Sequence, residues 1–328
     1  MSRAVAMRAP TRVDFGGGWT DVPPYAEIEG GAVCAMAIAR YATAEVAEVA
    51  DGPPGRDAAL PTRAAEAPLV QAALARANLR DAAPRVRLRS DFPVGAGLGG
   101  SSAASAALLG ALDRWRGIPI DRAGIAERGR RIEVEDLGVP GGRQDHYCAT
   151  HGGLLGLTFG QSVGVRRIPL TPLLRESLER RCILVYTGES RISGDTISGV
   201  LEGYRRGDRG VTFALARMRE LAQRMVAALE RDDVDELGAL VGEHWTHQRA
   251  LHPAIPTPRI DGIVERAARA GALGSKATGA SGGGCVVAIA RSGREAEVRQ
   301  AAGALGELVP FTLDETGLTE CDWNAETP

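Results

Sequence analysis

The chain of 328 residues carries 39 Lys plus Arg against 41 Asp plus Glu, with a formal net charge of −2 and a pI of about 6.3. This balance provides no basic excess for a nucleic-acid backbone or an anionic membrane, so we expect neither partner. No apolar run approaches the ~20 residues of a membrane-spanning helix, and the N-terminus lacks the apolar stretch of a signal peptide. The five cysteines are scattered without a CxxC pair, which indicates free thiols in the reducing cytoplasm.

The predicted elements of the first half are strands interleaved with helices. Residues 85–92 alternate apolar and polar side chains, as in a half-buried antiparallel strand. Residues 101–116 begin with serine and continue with Ala and Leu, which favours a helix. In chain order we predict strands at 3–15, 31–50 and 85–92, helices at 65–79, 101–116, 121–136 and 146–151, and a loop at 138–145.

The second half contains short apolar runs and amphipathic stretches. We predict strands at 182–187 and 285–290 and helices at 211–230, 233–250, 258–270 and 292–304. Antiparallel strands with separated helices predict an α+β fold with two layers in each domain. The connection near residues 160–170 is the expected boundary between a domain of residues 1–166 and a domain of residues 167–328.

A glycine-rich segment precedes the helix predicted at 101–116. Glycines let the backbone approach a ligand, and a helix start offers unpaired N–H groups and the positive end of the helix dipole. A plain turn with a capping serine needs fewer glycines, so the segment predicts an anion site suited to phosphates. The predicted nucleotide-binding residues are Pro93, Gly95, Gly97, Leu98, Gly99, Gly100, Ser101 and Ser102.

The same segment also matches the dinucleotide pattern GxGxxG, at Gly95, Gly97 and Gly100. An NAD(P)-dependent oxidoreductase is therefore a competing hypothesis. Against it, the preceding strand is charged at alternate positions, whereas the strand of a dinucleotide-binding unit is a buried apolar run. A P-loop is excluded, because the glycines before Lys276 do not satisfy GxxxxGK[ST].

One basic residue differs from all the others. Lys276 is the single lysine of the chain, and every other Lys or Arg position is arginine. Either the base composition of the gene explains this usage, or residue 276 lies where a compact ammonium suits better than a planar guanidinium.

Three segments together resemble the three motifs of the GHMP superfamily of small-molecule kinases. They read RVDFGGGWTD at 12–21, PVGAGLGGSSAA at 93–104 and KATGASGGG at 276–284, in the order and at the spacing of that family. The resemblance implies an N-terminal domain like ribosomal protein S5 domain 2 and a ferredoxin-like C-terminal domain. It also implies that ATP binds between them with Mg²⁺.

The resemblance further implies the roles of individual residues. Asp145 would accept the proton of a sugar hydroxyl, with Arg12 beside it to hold the carboxylate ionised and to offer charge to the moving phosphoryl group. Ser101 and Glu133 would bind Mg²⁺, with Ser102, Glu135 and Asp136 as rival ligands. The substrate-binding residues implied are Asp21, Trp19, Gly18, Arg143, Arg191, Lys276, Gly282 and Gly283.

Two branches of the superfamily fit the chain. The stretch GGWTDVPPY at 17–25 resembles the first motif of both branches, and its tryptophan favours the L-fucokinases, whereas GGRQDHY at 141–147 resembles the heptose 7-phosphate kinases. The expected reaction is phosphorylation of a sugar hydroxyl, the anomeric one of D-glycero-D-manno-heptose 7-phosphate. L-fucose or a related free sugar is the alternative substrate, and the candidate assembly is a homodimer.

Some positions depart from the family pattern. Gly100 stands where the heptose kinases usually have a third serine, while Ser281 and Cys285 also differ from the usual residues. A kinase fold that has lost catalysis and acts as a regulator is a third hypothesis. The presence of Arg12 and Asp145 speaks against it, as does that of Asp21 and Glu133, because a decayed site would have lost at least one of them.

Overall fold

The computed structural model describes residues 4–48, 67–79, 84–189 and 194–324. The strands are β1 (Ala4–Gly16), β2 (Gly31–Ala47), β3 (Arg85–Ser90), β4 (Leu154–Phe159), β5 (Val163–Arg167), β6 (Cys182–Tyr186), β7 (Ala272–Ala277), β8 (Cys285–Ala290), β9 (Glu307–Leu308) and β10 (Thr319–Glu320). The helices are α1 (Tyr25–Ile28), α2 (Pro68–Arg76), α3 (Gly100–Trp115), α4 (Arg122–Arg131), α5 (Gln144–His151), α6 (Pro172–Arg181), α7 (Gly194–Arg205), α8 (Arg209–Leu229), α9 (Val234–Ala250), α10 (Pro258–Ala270) and α11 (Glu295–Gly303). A π-helical turn, Ile132–Asp136, follows α4.

The first sheet has the strand order β10-β1-β2-β4-β5, and β3 also pairs with β2. All of these pairings are antiparallel. Helix α3 covers one face, and its buried positions include several small residues, among them Ala103, Ala106 and Ala107. Such small side chains let the helix axis approach the sheet closely, which fixes where the N-terminus of α3 lies.

The second sheet has the antiparallel order β7-β8-β6-β9. Counted within this unit, the order is second, third, first, fourth, which is that of a ferredoxin-like βαββαβ arrangement. The β8 strand is apolar throughout because helices cover both of its faces. Val287 and Ile289 pack into a core with α8 and α9, whereas Val286 and Ala288 pack with α10 and α11.

Helices α8 and α9 lie between the two sheets. The core around them joins Phe15 and Met36 of the first sheet to Leu184 and Val287 of the second. Because this core is continuous, the two sheets hold fixed positions where they meet. No helix in the described ranges combines the length and the apolar character needed to cross a membrane.

The predicted α+β fold class is confirmed, and most predicted elements are present within a few residues of their expected bounds. The helix predicted at 121–136 is present, but its last five residues, Ile132–Asp136, are π-helical and the α-helix ends at Arg131. Sequence reasoning missed α1, β4, β5, α6, α7, β7, β9 and β10, several of which are short or interrupted by glycine. The boundary at 166/167 stays a prediction; β10 returns from the second half of the chain to pair with β1.

Candidate active site

A cavity of about 520 Å³ is lined by residues from the part of the chain that forms the first sheet and from the part that forms the second sheet. Its walls come from β1, β3, the glycine-rich loop, the start of α3 and the turn before α5, and from the segment after β7. All eight predicted nucleotide-binding residues line it: Pro93, Gly95, Gly97, Leu98, Gly99, Gly100, Ser101 and Ser102. The sequence motifs therefore come together around one space.

The glycine-rich loop requires glycine for its backbone conformation. Gly95, Gly97 and Gly99 have φ values of 73°, 69° and 73°, in the left-handed region that residues with a Cβ rarely adopt. Gly99 is also the N-cap of α3, and no side chain in the described part of the chain caps this end. The first N–H groups of α3 are thus left for an anion. The preceding strand pairs antiparallel with β2, so the interpretation of GxGxxG as part of a parallel dinucleotide-binding unit is wrong.

Arg12 and Asp145 meet at this loop. The Nε and Nη2 atoms of Arg12 each lie 2.8 Å from Oδ1 of Asp145, and Nη1 donates to the carbonyl oxygen of Gly97 at 2.6 Å. A Cβ at Gly99 would lie 3.1 Å from Cγ of Asp145, so glycine here lets the loop reach the carboxylate. Burial raises the pKa of Asp145, and Arg12 opposes that shift. The result is an aspartate of enhanced basicity held in a fixed orientation.

Asp21 is buried at the start of α5. Its Oδ2 atom accepts hydrogen bonds from the backbone N–H groups of Arg143 at 2.8 Å and Gln144 at 2.9 Å. Its Oδ1 atom is buried and has no hydrogen-bond partner within the described ranges. Burial raises the pKa of Asp21 to about 6, and the nearby charge of Asp145 adds to this. Asp21 therefore serves as a cap for the helix that carries Asp145 and retains one free acceptor.

Three cavity-lining side chains carry buried polar atoms that have no hydrogen-bond partner among the residues that the structure describes. These atoms are Nε1 of Trp19, Oδ1 of Asp21 and Oε1 of Gln144. Trp19 also has a φ of 81°, an uncommon conformation for a bulky residue and one that clusters at ligand sites. An unpaired buried polar atom costs about 1–3 kcal/mol, so this wall fits a ligand rich in hydroxyl groups. Gln144 was missed as a site residue, although it stands directly before Asp145 in the GGRQDHY block.

The Asp21→Asn variant is expected to be more stable than the wild-type protein above pH 6. The folded-state pKa of Asp21 is about 6 and its ordinary value is 3.8, so ionisation of this buried group opposes folding as pH rises through this window. At pH 7.5 the gain is up to about 3 kcal/mol in the free energy of unfolding, and it disappears near pH 4. Urea unfolding at both pH values measures it; an equal loss of stability at both pH values would contradict the expectation.

Glu133 and the two serines form the predicted metal end of the cavity, and all three line it. The Oε2 atom of Glu133 lies 2.8 Å from Nε2 of His146, and Oγ of Ser102 lies 3.4 Å from the same nitrogen. Ser101 is exposed, whereas Ser102 is buried. Carboxylate and hydroxyl oxygens suit Mg²⁺, which takes few protein ligands. Among the described residues, no group of three or more His, Cys, Asp or Glu is placed to hold a metal.

Several residues predicted to bind substrate lie outside the cavity wall. Lys276 is 0% exposed and bound to Asp14, and the side chain of Arg143 pairs with Glu127 at 3.3 Å. Gly18, Gly282 and Gly283 do not line the cavity either, and the N–H of Gly282 donates to the carbonyl oxygen of Ile255. Arg191 lies outside the described residues. The structure therefore brings Trp19 and Asp21 to the cavity but not the other predicted substrate residues that it describes.

An apolar end of the cavity was not predicted. Leu88, Phe92, Ala42 and Ala104 line it beside the glycine-rich loop. A Cβ at Gly100 would lie 2.3 Å from Cε2 of Phe92. The ring of Phe92 thus occupies the space of a side chain at position 100, which explains why glycine replaces the serine usual in heptose kinases.

Comparisons with known proteins agree with this architecture. The chain is 32% identical over 203 residues to the D-glycero-alpha-D-manno-heptose 7-phosphate kinase of Campylobacter jejuni. The aligned region covers 60% of this chain and 58% of that protein. The L-fucokinase/L-fucose-1-P guanylyltransferase of Bacteroides fragilis is 28% identical over 326 residues, with coverage of 87% and 34%. The matched region is thus less than two thirds of the length of either relative.

A solved structure shows the same fold. The D-glycero-D-manno-heptose 1-phosphate kinase of Bacteroides thetaiotaomicron aligns with a TM-score of 0.76 at 24% identity, over 98% of this chain and 100% of that one. Residues 60–153 match the GHMP kinases N terminal domain, and residues 225–308 match the GHMP kinases C terminal domain. These two matches cover more than half of the chain, in the order that the three glycine-rich motifs predict. The chain belongs to the GHMP kinase family.

Proposed function

We propose that this protein is an ATP- and Mg²⁺-dependent kinase that phosphorylates a hydroxyl group of a sugar. The observation that carries the proposal is the Arg12–Asp145 pair, which lies at the uncapped N-terminus of α3 in the same cavity as Trp19 and Asp21. One wall thus suits phosphates and another suits hydroxyl groups.

The phosphate end relies on backbone groups. Bound ATP would supply the phosphoryl group, and Mg²⁺ would neutralise part of its charge. The N–H groups at the start of α3 bind phosphate oxygens, helped by the helix dipole. Glu133 and Ser101 or Ser102 are the proposed metal ligands. The apolar end around Phe92 and Leu88 fits the base of the nucleotide.

The transfer itself needs a proton acceptor and a fixed positive charge. Asp145 takes the proton of the attacking hydroxyl, and its raised pKa makes it a stronger base than an exposed aspartate. Arg12 holds Asp145 through Nε and Nη2, and its third nitrogen, Nη1, donates to the carbonyl oxygen of Gly97 in the loop. The guanidinium therefore fixes the distance between the base and the phosphate-binding loop.

The sugar is oriented by the unpaired atoms of the opposite wall. Oδ1 of Asp21 accepts from one hydroxyl, the amide of Gln144 bonds a second, and the indole N–H of Trp19 donates to a third oxygen. We propose D-glycero-D-manno-heptose 7-phosphate as the substrate and its anomeric hydroxyl as the acceptor. The Campylobacter relative and the GGRQDHY block support this choice.

L-fucose is the second candidate because of the charges at the site. A sugar phosphate needs a cation; of the three predicted for this role, Lys276 and Arg143 are paired with carboxylates away from the cavity wall, and Arg191 lies outside the described residues. Trp19 and the Bacteroides fragilis relative also favour this branch. A free sugar needs no such cation.

Identification of the product by ³¹P NMR separates the two candidates. With Mg-ATP and heptose 7-phosphate, we expect a new phosphate resonance that is split by the anomeric proton. If the new resonance forms only with L-fucose, the second candidate replaces the first. If neither sugar gives a new phosphate ester while ATP remains intact, the proposed function is wrong.

A further inference from the structure

The single lysine of the chain lies directly behind the candidate active site. Lys276 belongs to β7 in the second sheet, and Asp14 belongs to β1 in the first. The Nζ atom of Lys276 lies 2.6 Å from Oδ2 of Asp14 and 3.0 Å from the backbone oxygen of the same residue. The Lys276 and Asp14 side chains are 0% and 1% exposed. The pair therefore joins the two halves of the fold in a region closed to water.

Asp14 is also a neighbour of Arg12. Its Oδ1 atom lies 3.9 Å from Nη1 of Arg12, whereas Asp145 lies 2.8 Å from the same guanidinium. The Oδ1 atom further accepts a hydrogen bond from the N–H of Gly279 at 3.0 Å, and Gly279 lines the cavity. Charges thus alternate along Lys276, Asp14, Arg12 and Asp145. Arg12 has two carboxylates within reach and binds only one of them closely.

Asp14 and Asp145 compete for the guanidinium of Arg12, and Lys276 determines which of them binds it. An arginine between two buried carboxylates is attracted to both, since charge interactions are strong where water is excluded. The compact ammonium of Lys276 neutralises Asp14, so that Arg12 pairs with Asp145. The neighbouring His244 does not share this task, because burial and the charge of Lys276 keep its pKa well below the ordinary value. His244 instead accepts a hydrogen bond from the N–H of Gly17.

We propose that Lys276 is a positioning residue, which keeps Arg12 on Asp145 by neutralising Asp14. This inference rests on the proposed kinase function, and it reassigns Lys276 from substrate binding. It also gives a physical reason for the lone lysine: a planar guanidinium needs more room and more acceptors than the enclosed site at Asp14 offers. Lys276 acts on the reaction through two other side chains and touches no substrate.

The Lys276→Met variant tests this role, with sugar-dependent ADP release as the readout. We expect kcat to fall by about 10–100-fold while the KM values for ATP and sugar change by less than about threefold, because Arg12 shifts towards Asp14 and misplaces the base. Ile263→Ala serves as the control for lost stability. Ile263 is fully buried in the core around α10 and does not line the cavity, so this variant is expected to unfold more easily and to keep its kcat.

The double variant Asp14→Asn/Lys276→Met distinguishes two roles of the Lys276–Asp14 pair. In one, Lys276 neutralises Asp14 so that Arg12 stays on Asp145; in the other, the pair only stabilises the contact between the two sheets. The double variant removes both buried charges, and asparagine keeps an acceptor for Gly279. If Lys276 acts as proposed, kcat of the double variant returns to within about tenfold of wild type, and this variant decides the question if Lys276→Met does not fold. If the pair only stabilises the contact between the two sheets, we expect the double variant to recover none of the kcat lost in Lys276→Met.

Two results would overturn the inference. One is a folded Lys276→Met protein with wild-type kcat; the other is a folded double variant whose kcat is reduced by more than about tenfold. A wild-type protein that shows no sugar-dependent ADP release would instead overturn the proposed function. The two failures are thus distinguishable in one set of assays.

Discussion

The Asp145→Asn variant is expected to lose about 10²–10⁴-fold in kcat for sugar phosphorylation, while its affinity for ATP changes by less than about threefold. Asparagine has the same size and can still accept a hydrogen bond from Arg12, so the guanidinium keeps its place. It cannot take the proton of the attacking hydroxyl. The loss therefore falls on the chemical step. Steady-state kinetics give kcat, and titration calorimetry gives the ATP affinity.

The matched control is Asp233→Asn. Asp233 caps α9 through a hydrogen bond from the N–H of Glu236, and asparagine caps a helix about as well as aspartate. This variant is expected to keep wild-type kcat. A kcat for Asp145→Asn within about fivefold of wild type would show that another group accepts the proton.

Gly142→Ala is expected to reduce both stability and activity. A Cβ at position 142 would lie 1.9 Å from Oδ2 of Asp21, and Asp21 is held there by the N–H groups at the start of α5. The carboxylate must move, and with it the helix start that carries Asp145. We expect a loss of about 1–3 kcal/mol in the free energy of unfolding and a fall of about 100-fold in kcat/KM.

The neighbouring glycine provides the comparison for this variant. A Cβ at Gly141 would lie 3.7 Å from Oε2 of Glu133, an ordinary contact distance, so Gly141→Ala is expected to change the free energy of unfolding by less than about 1 kcal/mol. Urea unfolding and kcat/KM of the two variants check the difference. Equal effects of the two alanines would show that the Asp21 contact does not determine the site geometry.

The sequence predicted those parts of the fold that have long or strongly patterned elements. Helix α3 has many alanines and a glycine-rich start, and β8 is a continuous apolar run, so both were predictable. Strand β7 was missed because its letters, ALGSKA, show neither alternation nor an apolar run. Its place in the sheet follows from pairing with β8, a long-range contact that local patterns do not contain.

The candidate site residues were predicted from the resemblance of three segments to the motifs of the kinase family. Arg12, Asp145 and the glycine-rich loop come together as expected. Lys276 shows the limit, because a lysine in a glycine-rich block could face either a ligand or a buried carboxylate. Only the fold places Asp14 opposite it, 262 residues earlier in the chain. Gln144 and Phe92 were missed for a similar reason: their side chains reach the cavity only through the packing of loops.

The measurement that tests the central claim most directly is ADP release from Mg-ATP with and without sugar. The panel consists of heptose 7-phosphate, L-fucose and galactose, with a sample that lacks sugar. We predict that ADP release accelerates at least about 100-fold with one of the first two sugars and stays at background without sugar. A rate that no sugar changes, or a protein that does not bind ATP, would contradict the account of this cavity as the active site of a sugar kinase.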